Sequence, residues 1–375
     1  MEKRRYKSTA LEVSLLGLGC MRLPKVGPDT EEIDKARAQE IVDYAYSHGV
    51  NYFDTAYMYH GGASEPFIGP ALKKYPRESY CLASKMPVWM CKDEAEVERV
   101  FNEQLAKCQV DYFDFYLCHS LNKDHFERIE KLHVYDFLQR MKKEGKICRL
   151  GFSFHDKPEV LRTIVAAHQW DFAQIQLNYL DWEMQDAKTQ YEILTENGIQ
   201  VIVMEPVRGG ALASLCPESD AIFKQAEPER SVASWAVRYA ASLPNVLTVL
   251  SGMSNMEQVQ DNVATMTDFR PLSREEYQIV EHAVDTYRKN KTVPCTGCRY
   301  CMDCPFGVDI PAVFRLYNQY AISGDAAGFK AEYERLGAEH QAAACKSCGA
   351  CTRVCPQHIE IPKRMKEIAE LYASL

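Results

Sequence analysis

The chain has 375 residues and a formal net charge of -8, so it is long enough for a large domain and a small one and has no basic excess of the kind that nucleic-acid binding needs. No apolar stretch reaches membrane-spanning length. Of the 15 cysteines, seven occur singly from Cys20 to Cys216 and eight crowd after residue 294. Scattered thiols are typical of a reducing compartment and clustered ones of metal binding. We therefore expect a cytoplasmic protein that binds neither nucleic acid nor membrane.

Short apolar runs and amphipathic stretches alternate along most of the chain. The pattern from Leu11 to Leu23 first predicts a small hairpin that leads into a buried strand. The predicted strands are 15–20, 52–56, 81–86, 113–118, 147–153, 172–178, 199–204 and 246–251. The predicted helices are 36–48, 64–74, 93–108, 127–144, 157–168, 186–197, 230–242 and 255–266. A further helix over 273–290 opens with a capping-box pattern at Ser273 and Glu276.

Eight strand-helix pairs in about 250 residues predict a (β/α)8 TIM barrel. Strands such as 199–204 are nearly all apolar, which fits strands covered on both faces of a parallel sheet. A doubly wound sheet is the alternative, but Gly17-Leu-Gly19 lacks the third glycine of the dinucleotide-binding fingerprint. The predicted organisation is a barrel over 1–272, a connecting helix over 273–293 and a small, mainly helical cysteine-rich domain over 294–375.

Polar side chains end three consecutive predicted strands. Asp54 ends the run of strand-type residues Tyr52 and Phe53 in the first of them, and Lys85 and His119 end the next two. Asp54 could instead cap the helix that starts near Ser64. Because the carboxyl ends of barrel strands meet on one face, three polar ends in succession favour a catalytic site there.

The run Asp-Thr-Ala-x-x-Tyr from Asp54 to Tyr59, together with Lys85 and His119, resembles the catalytic tetrad of the aldo-keto reductases. The resemblance extends from about Leu15 to about Thr267 and implies NAD(P)H-dependent reduction of an aldehyde or ketone to an alcohol, with Tyr59 as the general acid and Tyr57 lining the pocket. Lys85 would lower the pKa of the phenol, Asp54 would hold Lys85, and His119 would bond the carbonyl oxygen. A buried ion-pair network without catalysis is the alternative.

The same resemblance implies a nicotinamide dinucleotide bound across the barrel mouth. The residues carried over to the nicotinamide and pyrophosphate are Met21, Asp54, Ser153, Gln174, Met204, Pro206 and Val207. Those carried over to the adenine end are Ser254, Asn255, Gln258 and Asn262. The chain has His155 where the family often has an amide, a methionine at 204 where it has an aromatic residue, and Gly252 and Gln258 where NADPH-preferring members have cations. We therefore expect a weakened preference for NADPH over NADH.

Two cysteine runs dominate the last eighty residues. The second has the C-x2-C-x2-C-x3-C-P spacing of bacterial ferredoxins, and the first is one residue shorter before its last cysteine. Similarity to two-cluster ferredoxins implies that the fourth ligand of each set comes from the other run. The two [4Fe-4S] ligand sets would then be Cys295, Cys298, Cys301 with Cys355, and Cys345, Cys348, Cys351 with Cys304. Zinc is the alternative metal.

The chain as a whole resembles a ferredoxin-like branch of the aldo-keto reductases, for which three functions remain open. In the first, which we favour, the barrel reduces a small-molecule carbonyl substrate and the clusters are structural or cap the pocket. In the second, the clusters relay electrons from an external electron-transfer protein. In the third, the clusters sense redox state while the barrel binds nucleotide.

Overall fold

The structure, a computed structural model, describes residues 1–7, 9–27, 30–302 and 304–375. These residues form two units, one of Met1–Val207 with Ala233–Arg274 and one of Arg208–Val232 with Glu275–Leu375. The predicted catalytic and cofactor residues lie in the first unit and both cysteine runs lie in the second. The domain limits 1–272, 273–293 and 294–375 stay a prediction.

The first unit is built on a closed barrel of eight parallel strands, which confirms the predicted fold class. A two-stranded antiparallel hairpin precedes it, formed by β1 (Lys3–Arg5) and β2 (Glu12–Ser14). The barrel strands are β3 (Leu16–Gly19), β4 (Tyr52–Asp54), β5 (Cys81–Met86), β6 (Phe115–Leu121), β7 (Leu150–Phe154), β8 (Phe172–Gln176), β9 (Gln200–Met204) and β10 (Val246–Ser251). Each strand pairs with its neighbour in sequence, and β10 closes the barrel against β3.

Helices surround the barrel and make up most of the second unit. In chain order they are α1 (Lys35–Ser47), α2 (Ser64–Leu72), α3 (Glu94–Cys108), α4 (Lys123–Lys131), α5 (Val134–Lys143), α6 (Pro158–Ala167), α7 (Asp181–Met184), α8 (Ala187–Glu196), α9 (Pro217–Ala226), α10 (Val232–Ala241), α11 (Met256–Thr267), α12 (Arg274–Tyr287), α13 (Ile310–Ser323), α14 (Ala326–Glu334), α15 (Ala350–Arg353) and α16 (Ile361–Ser374). Among the described residues, no helix combines the length and the apolar character that crossing a bilayer requires.

The N-terminal hairpin closes the end of the barrel where the strands begin. Tyr6 and Val13 pack in one buried cluster with Tyr52, Phe115 and Phe172. These three aromatic residues are the first residues of β4, β6 and β8. The Tyr6 and Phe115 rings meet edge to face at 5.9 Å. With that end filled by apolar side chains, the opposite end, where the strands finish, is available for a polar site.

One predicted helix is divided in the structure, and one helix of ten residues was not predicted. The helix predicted over 127–144 is divided into α4 and α5, because His133 adopts a left-handed φ of 48° that an α-helix cannot continue through. No glycine or proline marks this break in the sequence. Between β9 and α10, where no element was predicted, α9 begins at Pro217, whose fixed φ suits the first turn of a helix.

The second unit has its own apolar core, formed largely by two helices that follow the cysteine runs. Val313 and Phe314 of α13 and Met365 and Ile368 of α16 are almost fully buried in it. Both helices carry a proline in their first turn. Six cysteines of the two runs pack against this core, namely Cys295, Cys301, Cys304, Cys345, Cys351 and Cys355, so it supports the loops that carry them.

Candidate functional site

The four residues of the predicted tetrad lie at the carboxyl ends of consecutive barrel strands. Asp54 is the last residue of β4, Lys85 lies near the end of β5, and His119 lies in the second half of β6. Tyr59 begins a short 3-10 turn in the loop after β4. Parallel pairing sets Asp54 beside Ala83 and Lys85 beside Leu117. The polar side chains are therefore brought to one edge of the barrel.

The ammonium group of Lys85 is the centre of this cluster. Its Nζ donates to Asp54 Oδ1 at 2.5 Å, to the backbone oxygen of Thr55 at 2.8 Å and to Tyr59 Oη at 3.2 Å. The side chain of Lys85 is 1% exposed and that of Asp54 is 3% exposed. Because the three N–H donors of the ammonium are all used, its position relative to the phenol is fixed.

The ionisation of Tyr59 differs from the expectation. Burial raises the pKa of Tyr59 well above that of a free phenol, and the nearby carboxylates of Asp54 and Glu205 act in the same direction. The expected lowering by Lys85 does not prevail, because removing water from the hydroxyl disfavours the phenolate. Tyr59 is thus a protonated phenol, which is the form that a general acid must have.

His119 is a neutral imidazole that faces the same cluster. Burial, the ammonium of Lys85 and the neighbouring His155 and His125 hold the pKa of His119 well below its usual range. Its ring lies edge to face with Tyr59 at a centroid distance of 6.1 Å, and the Trp89 ring also contacts it, with the centroids 5.2 Å apart. A neutral imidazole keeps one N–H, which can donate to an uncharged oxygen acceptor without giving up its proton.

Two alternative roles can be compared with the geometry. Asp54 does not cap α2, whose N-cap residue is Ala63 and lacks a side-chain cap. Tyr57 was expected to line the pocket, but its hydroxyl group donates to Glu103 of α3 at 3.1 Å, and Lys107 lies 4.0 Å from the centre of its ring. Tyr59 is therefore the phenol of this motif that contacts the buried ammonium.

Buried polar atoms without partners mark where a bound group fits. Within the described chain, Gln174 Oε1, Asp54 Oδ2 and His119 Nδ1 are buried and accept or donate no hydrogen bond. Such atoms are costly unless a ligand completes their bonding. Gln174 pairs in register with Ser153 on the neighbouring strand, and Ser153 Oγ accepts a bond from the Ser120 N–H at 2.7 Å. These residues fit the predicted contact with a nicotinamide amide.

The other predicted cofactor residues lie at the ends of three adjacent strands, in the segments that follow them or in α11. Met21 is in the 3-10 turn after β3, while Met204, Pro206 and Val207 end or follow β9. After β10, Asn255 caps α11 by accepting from the Gln258 N–H at 2.9 Å. The other two predicted residues also make hydrogen bonds in this region. The Ser254 N–H donates to Gln258 Oε1 at 2.7 Å, and Asn262 Nδ2 donates to Ser251 Oγ at 3.0 Å.

Arg22 is a cation at this edge that the sequence reasoning missed. A side chain at Gly252 would meet the Arg22 stem at 3.0 Å, so the arginine lies across the position where no cation was expected. Ser254 Oγ donates to the Arg22 backbone oxygen at 2.7 Å, and Arg22 Nη2 pairs with Glu205 Oε1 at 3.5 Å. Its place directly after Met21 was the available signal, but the pairing of β3 with β10 was needed to interpret it.

In the second unit, the described cysteines of the two runs surround two cavities. Cys295, Cys298, Cys301 and Cys355 line one small cavity. Cys304, Cys345, Cys348 and Cys351 line the other. Each set contains three cysteines of one run and the last cysteine of the other run, which is the exchange that the ferredoxin resemblance implied.

The donor chemistry of both cavities fits an iron–sulfur cluster, since four thiols converge on each and thiolates are the usual ligands of [4Fe-4S]. The rest of each wall is mainly apolar, for example Ile310 and Ile361, which contribute to both. In the part of the chain that the structure describes, no three cysteine, histidine or carboxylate side chains are grouped closely enough to hold a single metal ion.

Comparison with known proteins identifies both parts of the chain. Residues 15–285 match the aldo/keto reductase family, and residues 294–360 match the 4Fe-4S dicluster domain.

Individual relatives agree with the first match. L-galactose dehydrogenase of Arabidopsis thaliana is 27% identical over 78% of this chain and 97% of its own length. NADH-specific methylglyoxal reductase of Escherichia coli is 25% identical over 71% of this chain and 94% of its own length. The solved aldo-keto reductase AKR11C1 from Bacillus halodurans, in its holo form, is 28% identical with a TM-score of 0.60, over 76% of this chain and 96% of that one.

One conclusion follows from the buried lysine that contacts both a carboxylate and a phenol, from the barrel that holds it and from the residues matched by the family. The chain belongs to the aldo/keto reductase family of oxidoreductases and carries a 4Fe-4S domain after its barrel.

Proposed function

We propose that the protein reduces an aldehyde or ketone to an alcohol with NADPH or NADH as the hydride donor, and that Tyr59 is the general acid. The observation that carries this proposal is the position of Lys85 Nζ, which is bonded at once to Asp54 and to the Tyr59 hydroxyl. A nicotinamide dinucleotide, when bound, supplies the hydride. The residues of this chain hold the carbonyl and supply the proton.

His119 and Tyr59 act on the same carbonyl oxygen. The imidazole N–H of His119 donates a hydrogen bond to it, which orients the substrate and stabilises negative charge as it develops. Tyr59 then gives its proton to the oxygen. An alkoxide is a far stronger base than a phenolate, so this transfer is favourable even though burial raises the pKa of Tyr59. The ammonium of Lys85 stabilises the phenolate that remains, and Asp54 keeps that ammonium in place.

The proposed cofactor contacts fall into two groups. Gln174 and Ser153 would bond the carboxamide, next to Met21, Met204, Pro206 and Val207, and the residues after β10 would hold the adenosine end: Ser254, Asn255, Gln258 and Asn262. The sequence predicts a weakened preference for NADPH, and the NADH-specific relative from Escherichia coli supports use of NADH. The position of Arg22 across Gly252 argues for retained NADPH binding. Fluorescence titration, which measures the dissociation constants for NADPH and NADH, decides between a weakened preference for NADPH and retained NADPH binding.

The substrate that we propose is a small polar carbonyl compound. The Trp89 ring stacks on His125 at 5.0 Å and also contacts His119 at 5.2 Å, so aromatic and imidazole groups lie together beside the candidate acid. One relative is named as an L-galactose dehydrogenase and another as a methylglyoxal reductase. These names support short aldehydes, ketones and sugars as candidate substrates. An anaerobic screen of these compounds with both cofactors tests the class.

For the second unit we propose two [4Fe-4S] clusters with structural roles, each held by one of the two cysteine sets described above. Iron and sulfide analysis of anaerobically purified protein should give about eight of each per chain, as two cubane clusters require. Tightly bound zinc without sulfide would contradict the proposal. Cys355→Ala should disturb the cluster of the first run rather than that of its own run, which electron paramagnetic resonance after reduction can resolve.

Two phenols in one motif provide a matched test of the acid. Tyr59→Phe should lower kcat by about 10²- to 10⁴-fold, the usual contribution of general acid catalysis, while the dissociation constant for the cofactor stays within about twofold. Tyr57→Phe removes a phenol hydroxyl two residues away that bonds Glu103 instead, so kcat should be retained. Equal activity of the two variants would refute the assignment of Tyr59.

The cluster-linked alternative has its own test. If the barrel needs only NAD(P)H and a carbonyl substrate, turnover continues with the clusters oxidised and without an external electron-transfer protein. Strict dependence on such a protein, or on reduced clusters, would favour electron relay instead. The predicted cytoplasmic location is part of the proposal, because scattered free thiols suit a reducing compartment.

A further inference from the structure

Arg208 is a buried arginine in the same unit as both cysteine runs. It is only 3% exposed, and its backbone has a φ of 50°, which is uncommon for a residue other than glycine. Its Nη2 donates to the backbone oxygen of Pro294 at 2.9 Å and to Gln357 Oε1 at 3.3 Å. These bonds hold the guanidinium group inside the cysteine-rich unit.

Both acceptors stand next to candidate cluster ligands. Pro294 directly precedes Cys295, and Gln357 is the second residue after Cys355. Cys295, Cys355 and Gln357 all line the first cavity. The guanidinium group of Arg208 is therefore hydrogen-bonded to residues close in sequence to two of the four cysteines of the first cavity. One of these cysteines, Cys295, belongs to the first run and the other, Cys355, to the second.

A fixed positive charge in this position has a specific electrical consequence. The guanidinium group of an arginine carries a positive charge. A cluster held by four thiolates becomes more negative when it is reduced, and its potential depends on net charge, hydrogen bonding and exposure. Charge interactions are stronger away from water. Arg299 and Lys346, which line the first and second cavities, are exposed and are screened by solvent.

We propose that Arg208 raises the reduction potential of the cluster held by Cys295, Cys298, Cys301 and Cys355, by stabilising its reduced form. This inference rests on the proposed cluster assignment. The step concerned is the gain of one electron by that cluster from an external reductant, and no bond or proton transfer is involved. Arg208 is a positioning residue of the redox centre and has no part in proton transfer at Tyr59.

The test is a redox titration of the full chain with both clusters loaded, followed by electron paramagnetic resonance with dithionite as reductant. In Arg208→Gln the equilibrium constant for reduction of one cluster should fall at least tenfold, which is about 59 mV for a one-electron couple, and the other cluster should keep its potential. Arg208→Lys, which retains the charge, should restore most of the potential. Arg299→Gln and Lys346→Gln, which remove exposed cations beside the cavities, should give much smaller shifts.

The outcomes separate this inference from the cluster assignment. Protein with zinc and no sulfide would refute the assignment itself. Fully loaded Arg208→Gln protein in which neither potential moves, or both move equally, would refute the role of Arg208 alone. If that variant does not retain its clusters, Gln357→Glu sets a carboxylate against the guanidinium and should also lower one potential. An unchanged potential in Gln357→Glu would likewise overturn the inference.

Discussion

Replacing Lys85 with methionine would leave the carboxylate of Asp54 buried without its counter-charge. The two groups are 2.5 Å apart and their side chains are at most 3% exposed. Removing one partner of a buried ion pair typically costs about 3 to 5 kcal/mol, because the other charge stays desolvated. We therefore expect Lys85→Met to lower the free energy of unfolding of the barrel by that amount near neutral pH.

The loss should depend on pH in a defined direction. Burial already raises the pKa of Asp54, and Lys85 is the group that opposes this effect. Without Lys85 the folded protein holds a proton on Asp54 well above the unfolded pKa of about 3.9. Stability is then fully present below that value and falls by about 1.4 kcal/mol per pH unit until the pH passes the folded pKa. Between pH 5 and 7 the variant should lose up to about 2.7 kcal/mol relative to wild type.

Urea denaturation followed by tryptophan fluorescence measures this loss in the barrel, because the four tryptophans all lie in the first unit. Asp54→Asn with Lys85→Met serves as the control, since it removes the carboxylate and should abolish the additional pH dependence. If Lys85→Met and wild type lose stability in parallel from pH 5 to 7, Asp54 is not the buried, lysine-dependent carboxylate that the geometry describes.

Three further outcomes follow from the same structure. Because the pKa of His119 lies well below its usual range, kcat of wild type and His119→Gln should vary in parallel between about pH 5 and 8, and an inflection near pH 6.5 that disappears on substitution would contradict a neutral imidazole. Arg22→Gln should raise the dissociation constant for NADPH about tenfold in a fluorescence titration and that for NADH much less, whereas Glu205→Gln, which removes one carboxylate partner of that arginine, should not weaken binding. Gly69→Ala should lower the free energy of unfolding by at least about 3 kcal/mol, because a Cβ there would lie 1.9 Å from the backbone oxygen of the last residue of α3; the thermal midpoint of Gly19→Ala, where the nearest atom is 3.5 Å away, should change little.

The sequence by itself determined the barrel and the order of its elements. Short apolar runs recur eight times, three of them in succession with polar residues at their carboxyl ends, and parallel strands buried on both faces are the arrangement in which such runs are stable. The motif from Asp54 to Tyr59, the polar ends of the next two strands and their resemblance to the aldo-keto reductase tetrad predicted which side chains would meet, since neighbouring strands bring their ends together. The resemblance of the cysteine runs to two-cluster ferredoxins implied two ligand sets that exchange one member, and the two cavities gather the same sets.

Only the tertiary structure decided the charge state and the surroundings of these residues. The pKa of Tyr59 depends on how much water the folded protein removes from its hydroxyl, a quantity that no local pattern contains. Tyr57 turns to Glu103, Arg22 crosses Gly252, and Arg208 bonds residues beside both cysteine runs. Each of these contacts joins residues that are far apart in sequence or that differ only in side-chain direction, so it is set by strand pairing and packing rather than by motif spacing.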